Sequence, residues 1–117
     1  MNDTGRVAVS VVVPCYRSGA WLDELVHRVV AVLESAVGRS FEIVLVNDDS
    51  GDETWEVIEK LAAEDGRVRG IDLLRNTGQF RALSCGLAHS IGDIVVTLDD
   101  DLQHPPEEIP KLLDELD

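Results

Sequence analysis

The segment from Val7 to Val13, VAVSVVV, is apolar at every position except Ser10 and rich in β-branched side chains. A run of that kind buries both faces of a strand, which is the habit of a central strand in a parallel sheet. It is far too short to cross a bilayer, which needs about 20 apolar residues. The period then changes. Leu22, Leu25, Val26, Val29, Val30, Leu33 and Val37 recur at helical spacing, predicting an amphipathic helix over about 20–37 that Gly38 closes.

The same alternation continues to the end of the chain. Phe41 to Val46 reads as a second strand and meets Asn47-Asp48-Asp49-Ser50-Gly51, a polar cluster where a βα loop belongs. Trp55, Val57, Ile58, Leu61 and Ala62 predict a second helix, with Asp52 or Thr54 near its start. Val68 to Leu74 is a weaker strand, because Gly70 and Asp72 suggest a shorter or more peripheral one. Gly78 opens a third helix carrying Ala82, Leu83, Gly86 and Leu87, and Asp93 to Leu98 reads as another buried strand. Pro105-Pro106-Glu107-Glu108 starts a last helix, with Ile109, Leu112, Leu113 and Leu116 on its apolar face. Strands alternating with helices predict an α/β fold: a parallel sheet covered on both faces.

Ligands of such sheets collect beyond the carboxyl ends of the strands. Polar clusters follow each predicted strand, at Tyr16-Arg17, Asn47-Asp48-Asp49, Arg75-Asn76 and Asp99-Asp100-Asp101, so all four should share one rim. Charge narrows what could bind there. The net charge is -13, and residues 42–117 carry all of it, since residues 1–41 hold four acids and four bases. That field repels nucleic acid, and no basic stripe interleaved with aromatics opposes it. An anionic ligand is compatible with it only through a cation. The two cysteines, Cys15 and Cys85, lack metal-type spacing and read as buried thiols of a reduced, cytosolic chain. The polar start of the sequence does not read as a signal peptide.

Three adjacent carboxylates at a strand end repel one another unless solvated or neutralised. In an extended triplet the first and third residues project to one side, so Asp99 and Asp101 can converge on Mg2+ or Mn2+, with Asp100 on the other side. A solvated acidic loop is the competing reading. Asp48 could accept from a nucleobase imide N–H, Tyr16 could stack on the base, and Arg75 could fork a phosphate. An Asx turn, an isolated aromatic and a surface ion pair are the plainer alternatives for these three. His27 reads as a surface or partly buried helix residue and His89 as a helix-end cation, while His104 could support a metal site from behind. HExxH, GxSxG, a P-loop lysine and an early GxGxxG are all missing.

Taken in order, Val12-Val13-Pro14-Cys15-Tyr16, Ile43 to Ser50, Arg75-Asn76-Thr77-Gly78-Gln79 and Asp99 to Glu107 resemble family 2 glycosyltransferases. The branch most resembled includes dolichol-phosphate mannose synthase and the bacterial undecaprenyl-phosphate sugar transferases. The resemblance spans nearly the whole chain. It implies a GT-A fold, a Rossmann-like three-layer sandwich with a mostly parallel sheet, here incomplete. It places Pro14, Tyr16, Asp48, Arg75, Asp99 and Asp100 about the nucleotide. It makes Asp99 and Asp101 the catalytic pair and the ligands of Mg2+ or Mn2+, Asp101 being the more direct. Two departures stand out: Asn47-Asp48 replaces a frequent pair of acids, and Arg17-Ser18 replaces the usual Asn or Glu after the tyrosine.

The implied reaction transfers a sugar, with inversion, from a UDP- or GDP-linked donor to a polyprenyl phosphate, a step of cell-envelope biogenesis. Such a phosphate is already anionic near neutral pH, its second pKa being about 6, so a strong general base is less necessary than for an alcohol acceptor. Residues 1–117 would be the nucleotide-sugar-binding portion of a truncated catalytic domain. The acceptor half, and any membrane association, would belong to residues beyond Asp117. The rivals are a glycosyltransferase with a soluble or polysaccharide acceptor and a non-catalytic nucleotide-sugar-binding or assembly fragment. A sugar-phosphate nucleotidyltransferase would need a basic, glycine-rich triphosphate loop that Pro14 to Gly19 does not supply.

Overall fold

The computed structural model describes residues 6–73, 79–103 and 105–116. Strand β1 (Val7–Cys15) leads to helix α1 (Gly19–Val32), whose last turn widens into a π turn over Leu33–Val37. Gly38, at φ 67°, ends it in the left-handed region that glycine enters without steric cost. Then come β2 (Phe41–Asn47), α2 (Thr54–Glu64), β3 (Val68–Asp72), α3 (Gln79–His89) and β4 (Gly92–Thr97). A 3-10 turn over Pro106–Glu108 feeds α4 (Ile109–Leu116).

The sheet is parallel throughout, in the order β3-β2-β1-β4. The most apolar strand occupies the centre, as its composition demands. Val9, Val11 and Val13 point into the larger core with Leu22, Leu25 and Val29 of α1, Ile58 of α2 and Ile109 of α4. Val12, Val44 and Val46 form a smaller core against Ala82 of α3 on the opposite face. Gly86 makes that second contact possible, because a Cβ there would stand 2.4 Å from Val12 Cγ1. Gly70 has the same reason: a Cβ would meet Ile58 Cγ2 at 2.5 Å, so the glycine that weakens β3 as a strand lets α2 lie close against it.

One expectation needs correction. Asp93 to Leu98 reads as a strand buried on both faces, yet β4 stands at the sheet edge and Val95 and Thr97 are exposed. Helix α3 packs over β1 and β2, which leaves that face of β4 bare; only Val96 of the strand and the following Leu98 are buried. Periodicity cannot report which strand a helix covers.

A buried polar knot ties the opposite end of the sheet. Glu42 of β2 accepts from Ser10 Oγ at 2.6 Å, from Arg69 Nε at 3.0 Å and from the Ile91 amide at 2.8 Å. Its acceptor oxygens are thus supplied with donors from three other segments, which offsets the cost of burying a carboxylate in a central strand. No helix among the described residues is long and apolar enough to cross a membrane.

Candidate functional site

Register decides what the rim contains. Cys15 sits level with Asn47, and Val12 with Thr97, so the loops after β2 and β4 emerge on either side of the end of β1. With strands spaced about 4.8 Å apart, the two loops begin about 10 Å apart across the sheet, and the three-residue stagger between Val12 and Cys15 starts the β4 loop about 10 Å lower along it. Both are tied to the central strand at successive residues: the Asp48 amide donates to the Cys15 carbonyl at 3.0 Å, and the Tyr16 amide donates to the Asp100 carboxylate at 2.8 Å. Asp48, Tyr16 and the acidic triplet therefore share one edge.

Each of these three loops also contains one non-glycine residue at positive φ: Arg17 at 54°, Asp49 at 50° and Leu102 at 63°. Aspartate enters that region with modest cost, arginine and leucine with more. Such conformations persist only where neighbours over-determine them, and they cluster at binding sites. Here the neighbours are visible. Ser50 Oγ accepts from the Arg17 amide at 3.0 Å and donates to Asn47 Oδ1 at 2.6 Å, while Asn47 Nδ2 donates to Asp72 at 2.9 Å. Asn47 is thus a brace between loops, which explains how an amide serves where a second acid is more usual.

Asp48 is buried, at 4% exposure, directly below the rim. Tyr16 is exposed at 45%, with the Arg17 guanidinium 5.4 Å from its ring centroid and bonded to its hydroxyl at 3.2 Å. Pro14 lies buried within β1, so only its neighbours Tyr16 and Arg17 reach the surface. Arg75, Asn76, Thr77, Gly78 and His104 lie outside the described residues.

The triplet is less regular than an extended segment. Asp99 is half-buried, and the chain then turns at Asp100-Asp101, where Asp101 Oδ1 accepts from the Gln103 amide at 3.1 Å. Asp100 faces inward onto the Tyr16 amide, whereas Asp101 is exposed. Burial raises the Asp100 pKa, and the neighbouring charge of Asp101 adds to this, while the Tyr16 amide and the nearby Ser18 hydroxyl oppose it. The Ser18 hydroxyl is itself buried and meets no acceptor at full hydrogen-bond geometry, so its help to Asp100 is through proximity. Burial, with Asp100 second, also pushes the Cys15 thiol far above its ordinary range. A protonated thiol is a poor metal ligand. Were a cation held by Asp99 and Asp101, its protein donors would be carboxylate oxygens, which suit a hard cation such as Mg2+ or Mn2+.

Residues 10–117 match the sequence profile described as Glycosyl transferase family 2. The chain belongs to that family. Among curated members it is 48% identical over 106 residues to the undecaprenyl-phosphate 4-deoxy-4-formamido-L-arabinose transferase of Shewanella sediminis, covering 90% of this chain and 32% of that protein. It is 50% identical over 107 residues to the protein of the same name from Pseudomonas paraeruginosa, covering 91% and 31%. The chain thus spans about a third of the length of these relatives. Among solved structures it resembles a Pyrobaculum calidifontis mannosyltransferase in complex with GDP-Man and Mn2+, with TM-score 0.73, 25% identity, and coverage of 90% of this chain and 30% of that one. It also resembles the Mycobacterium tuberculosis glucosyl-3-phosphoglycerate synthase in complex with Mn2+, UDP and glucosyl-3-phosphoglycerate, with TM-score 0.72, 26% identity, and coverage of 97% and 40%. The fold of this family 2 chain is accordingly GT-A-like, an α/β sandwich about a mostly parallel sheet.

Other features of the family 2 chain escape a reading by motif. Trp21 Nε1 donates to the Asp100 carbonyl, and Arg28 forks Glu107, with Nε to Oε2 at 3.0 Å and Nη2 to Oε1. Both contacts join residues 79 apart in sequence, and no local period signals them. Asp23, His27 and Glu64 also bring ligand atoms within 4.8 Å of one another, all on exposed side chains. His27 lies eight residues into α1, about 12 Å along the helix from the rim where it begins. That cluster is separate from the acidic triplet. His89 Nδ1 lies 2.9 Å from the Cys85 carbonyl at the end of α3, in keeping with a helix-end histidine.

Proposed function

We propose that this chain is the nucleotide-sugar-binding portion of an enzyme that transfers a sugar from a UDP- or GDP-linked donor to a polyprenyl phosphate, with inversion at the anomeric centre. The observation that carries the reading is the pair of ties from one strand end, Cys15 to Asp48 and Tyr16 to Asp100. They bring a buried carboxylate, to which we assign a nucleobase N–H, and a carboxylate turn, to which we assign a cation, onto the two loops that flank the end of β1.

In this reading Asp48 accepts from the base imide, Tyr16 flanks the base, and Asp99 and Asp101 hold Mg2+ or Mn2+. Asp100 holds the turn to the β1 loop and approaches the nucleotide through its neighbours. Arg75 is assigned to the diphosphate. A bound cation would offset the charge that builds on the departing diphosphate. The protein's own part is to fix the donor between two braced loops, so that the anomeric carbon faces the acceptor with little reorganisation. A phosphate acceptor arrives as an anion and needs no strong base. The relatives at 48–50% identity, named for undecaprenyl phosphate, support a lipid phosphate over the soluble acceptor of a neighbour at 26%. A cytoplasmic setting, at the membrane face where such an acceptor is presented, fits two thiols that are both free.

Calorimetric titration with UDP, GDP and their sugar conjugates, with and without Mn2+, tests the proposal. Binding of one nucleotide that tightens at least tenfold with Mn2+, and that Asp48→Ala abolishes, is expected. A folded protein that binds neither nucleotide under either condition contradicts it.

A further inference from the structure

Helix α1 is more than a covering for the sheet. Two of its side chains, Trp21 and Arg28, stand seven residues apart, which is two turns and therefore one face. The indole N–H of Trp21 is given to the Asp100 carbonyl, at the peptide that leads into Asp101. The guanidinium of Arg28 grips the Glu107 carboxylate through two nitrogens, and Glu24, four residues before it, holds Nη1 at 3.3 Å. Between these two anchors the chain passes through Asp101, Leu102 at φ 63° and Gln103. On either side of the second anchor, Pro106 and Ile109 are buried. The segment carrying Asp101 is thus suspended between two points on one rigid helix.

We infer that Trp21 and Arg28 are positioning residues for the acidic turn, fixing where the Asp101 carboxylate stands and thereby the affinity of the site for a divalent cation. The inference rests on the metal reading of Asp99 and Asp101. Neither side chain touches the cation or the donor; both act through the backbone between Asp100 and Glu107. A ligand turn held by a helix loses little freedom when an ion binds, and that freedom is what an unsupported acidic loop would give up. The Arg28 fork is geometrically specific, which a flexible lysine would not reproduce. Trp21 supplies a neutral donor to the Asp100 carbonyl.

The test uses Mn2+ itself, counted by loss of its free electron-paramagnetic signal in the presence of the nucleotide that binds. Trp21→Phe keeps an aromatic side chain, smaller than the indole, and removes the donor, and should weaken Mn2+ binding by about fivefold, the worth of one hydrogen bond. Arg28→Glu and Glu107→Arg should each weaken it at least as much, and the double reversal should restore most of the loss. Hydrogen exchange of the Gln103 amide should quicken in the single variants and slow again in the double. These readouts separate positioning from general stability, because a variant that merely destabilises the fold lowers the melting temperature without being rescued at the metal. Wild-type Mn2+ binding that all four variants share unchanged overturns the inference and leaves the functional reading intact. Wild-type protein that binds no Mn2+ with any nucleotide overturns the functional reading, and the inference with it.

Discussion

The Asp100 carboxylate, half-buried behind the acidic turn, accepts the Tyr16 amide at 2.8 Å. It is the middle residue of three consecutive acids, and it spends its charge on the backbone of a neighbouring loop. Burial raises its pKa in spite of that bond, so charge at this position is held at a cost. Asp100→Asn keeps an acceptor for Tyr16 and removes the charge. In metal-free buffer at neutral pH it should melt at or above the wild-type temperature, whereas Asp100→Ala should lose about 1 kcal/mol. An asparagine variant that melts well below wild type would show that the charge itself stabilises the turn.

The two cysteines should differ sharply in reactivity. Cys15 is buried at 1% exposure and its thiol is held protonated by burial and by Asp100, while Cys85 is part-exposed on α3. In the folded protein an alkylating reagent at pH 8 should modify Cys85 and spare Cys15 until denaturant is added. Mass spectrometry of the labelled peptides reads this directly. Equal labelling of both would mean that the end of β1 opens freely.

At the other end of the sheet, Glu42 should matter far more than its distance from the rim suggests. Glu42→Ala strands the Ser10 hydroxyl and the Ile91 amide without their acceptor and should cost about 2–4 kcal/mol in urea unfolding. The Arg6–Asp93 pair, with side chains 70% and 49% exposed, should give less than about 1 kcal/mol when Asp93 is replaced by alanine. A reversal of that order would contradict the burial argument.

Acid should loosen the underside of the turn. The Arg28 hydrogen bonds hold the Glu107 carboxyl below its ordinary range, and Arg67 does the same for Asp65. A carboxyl whose folded pKa is depressed contributes stability above its unfolded value of about 4, and that contribution disappears as pH falls through the folded value. Carbon-detected NMR should show both groups titrating below the ordinary range of their carboxyls, with Glu107 moving up to that range in Arg28→Gln. Titration of Glu107 at the ordinary position in the wild type would mean that the fork is not held in solution.

Much of this fold is legible in the residue pattern, for physical reasons that differ by element. β1 and β2 declare themselves because strands buried on both faces can carry almost nothing polar, and the one acid in β2, Glu42, has partners from other segments. β3 reads as weak for a sound reason, since Gly70 serves the packing of α2 and not the strand. The rim is legible because parallel strands deliver their following loops to one end. The edge exposure of β4, the Tyr16 amide as the partner of Asp100, and the anchors at Trp21 and Arg28 are not legible. Each depends on which distant segment lies alongside, and periods of two and 3.6 residues carry no information about that.

The most direct test of the central claim is paramagnetic broadening of backbone amides by Mn2+ in the presence of the bound nucleotide. Cross-peaks of Asp99 to Gln103, Tyr16 and Asp49 should vanish first, while those of Ser40, Gly66 and Ile91, at the far ends of the strands, stay sharp. Broadening centred on Asp23, His27 and Glu64 instead, with the Asp99 turn unaffected, would contradict the account.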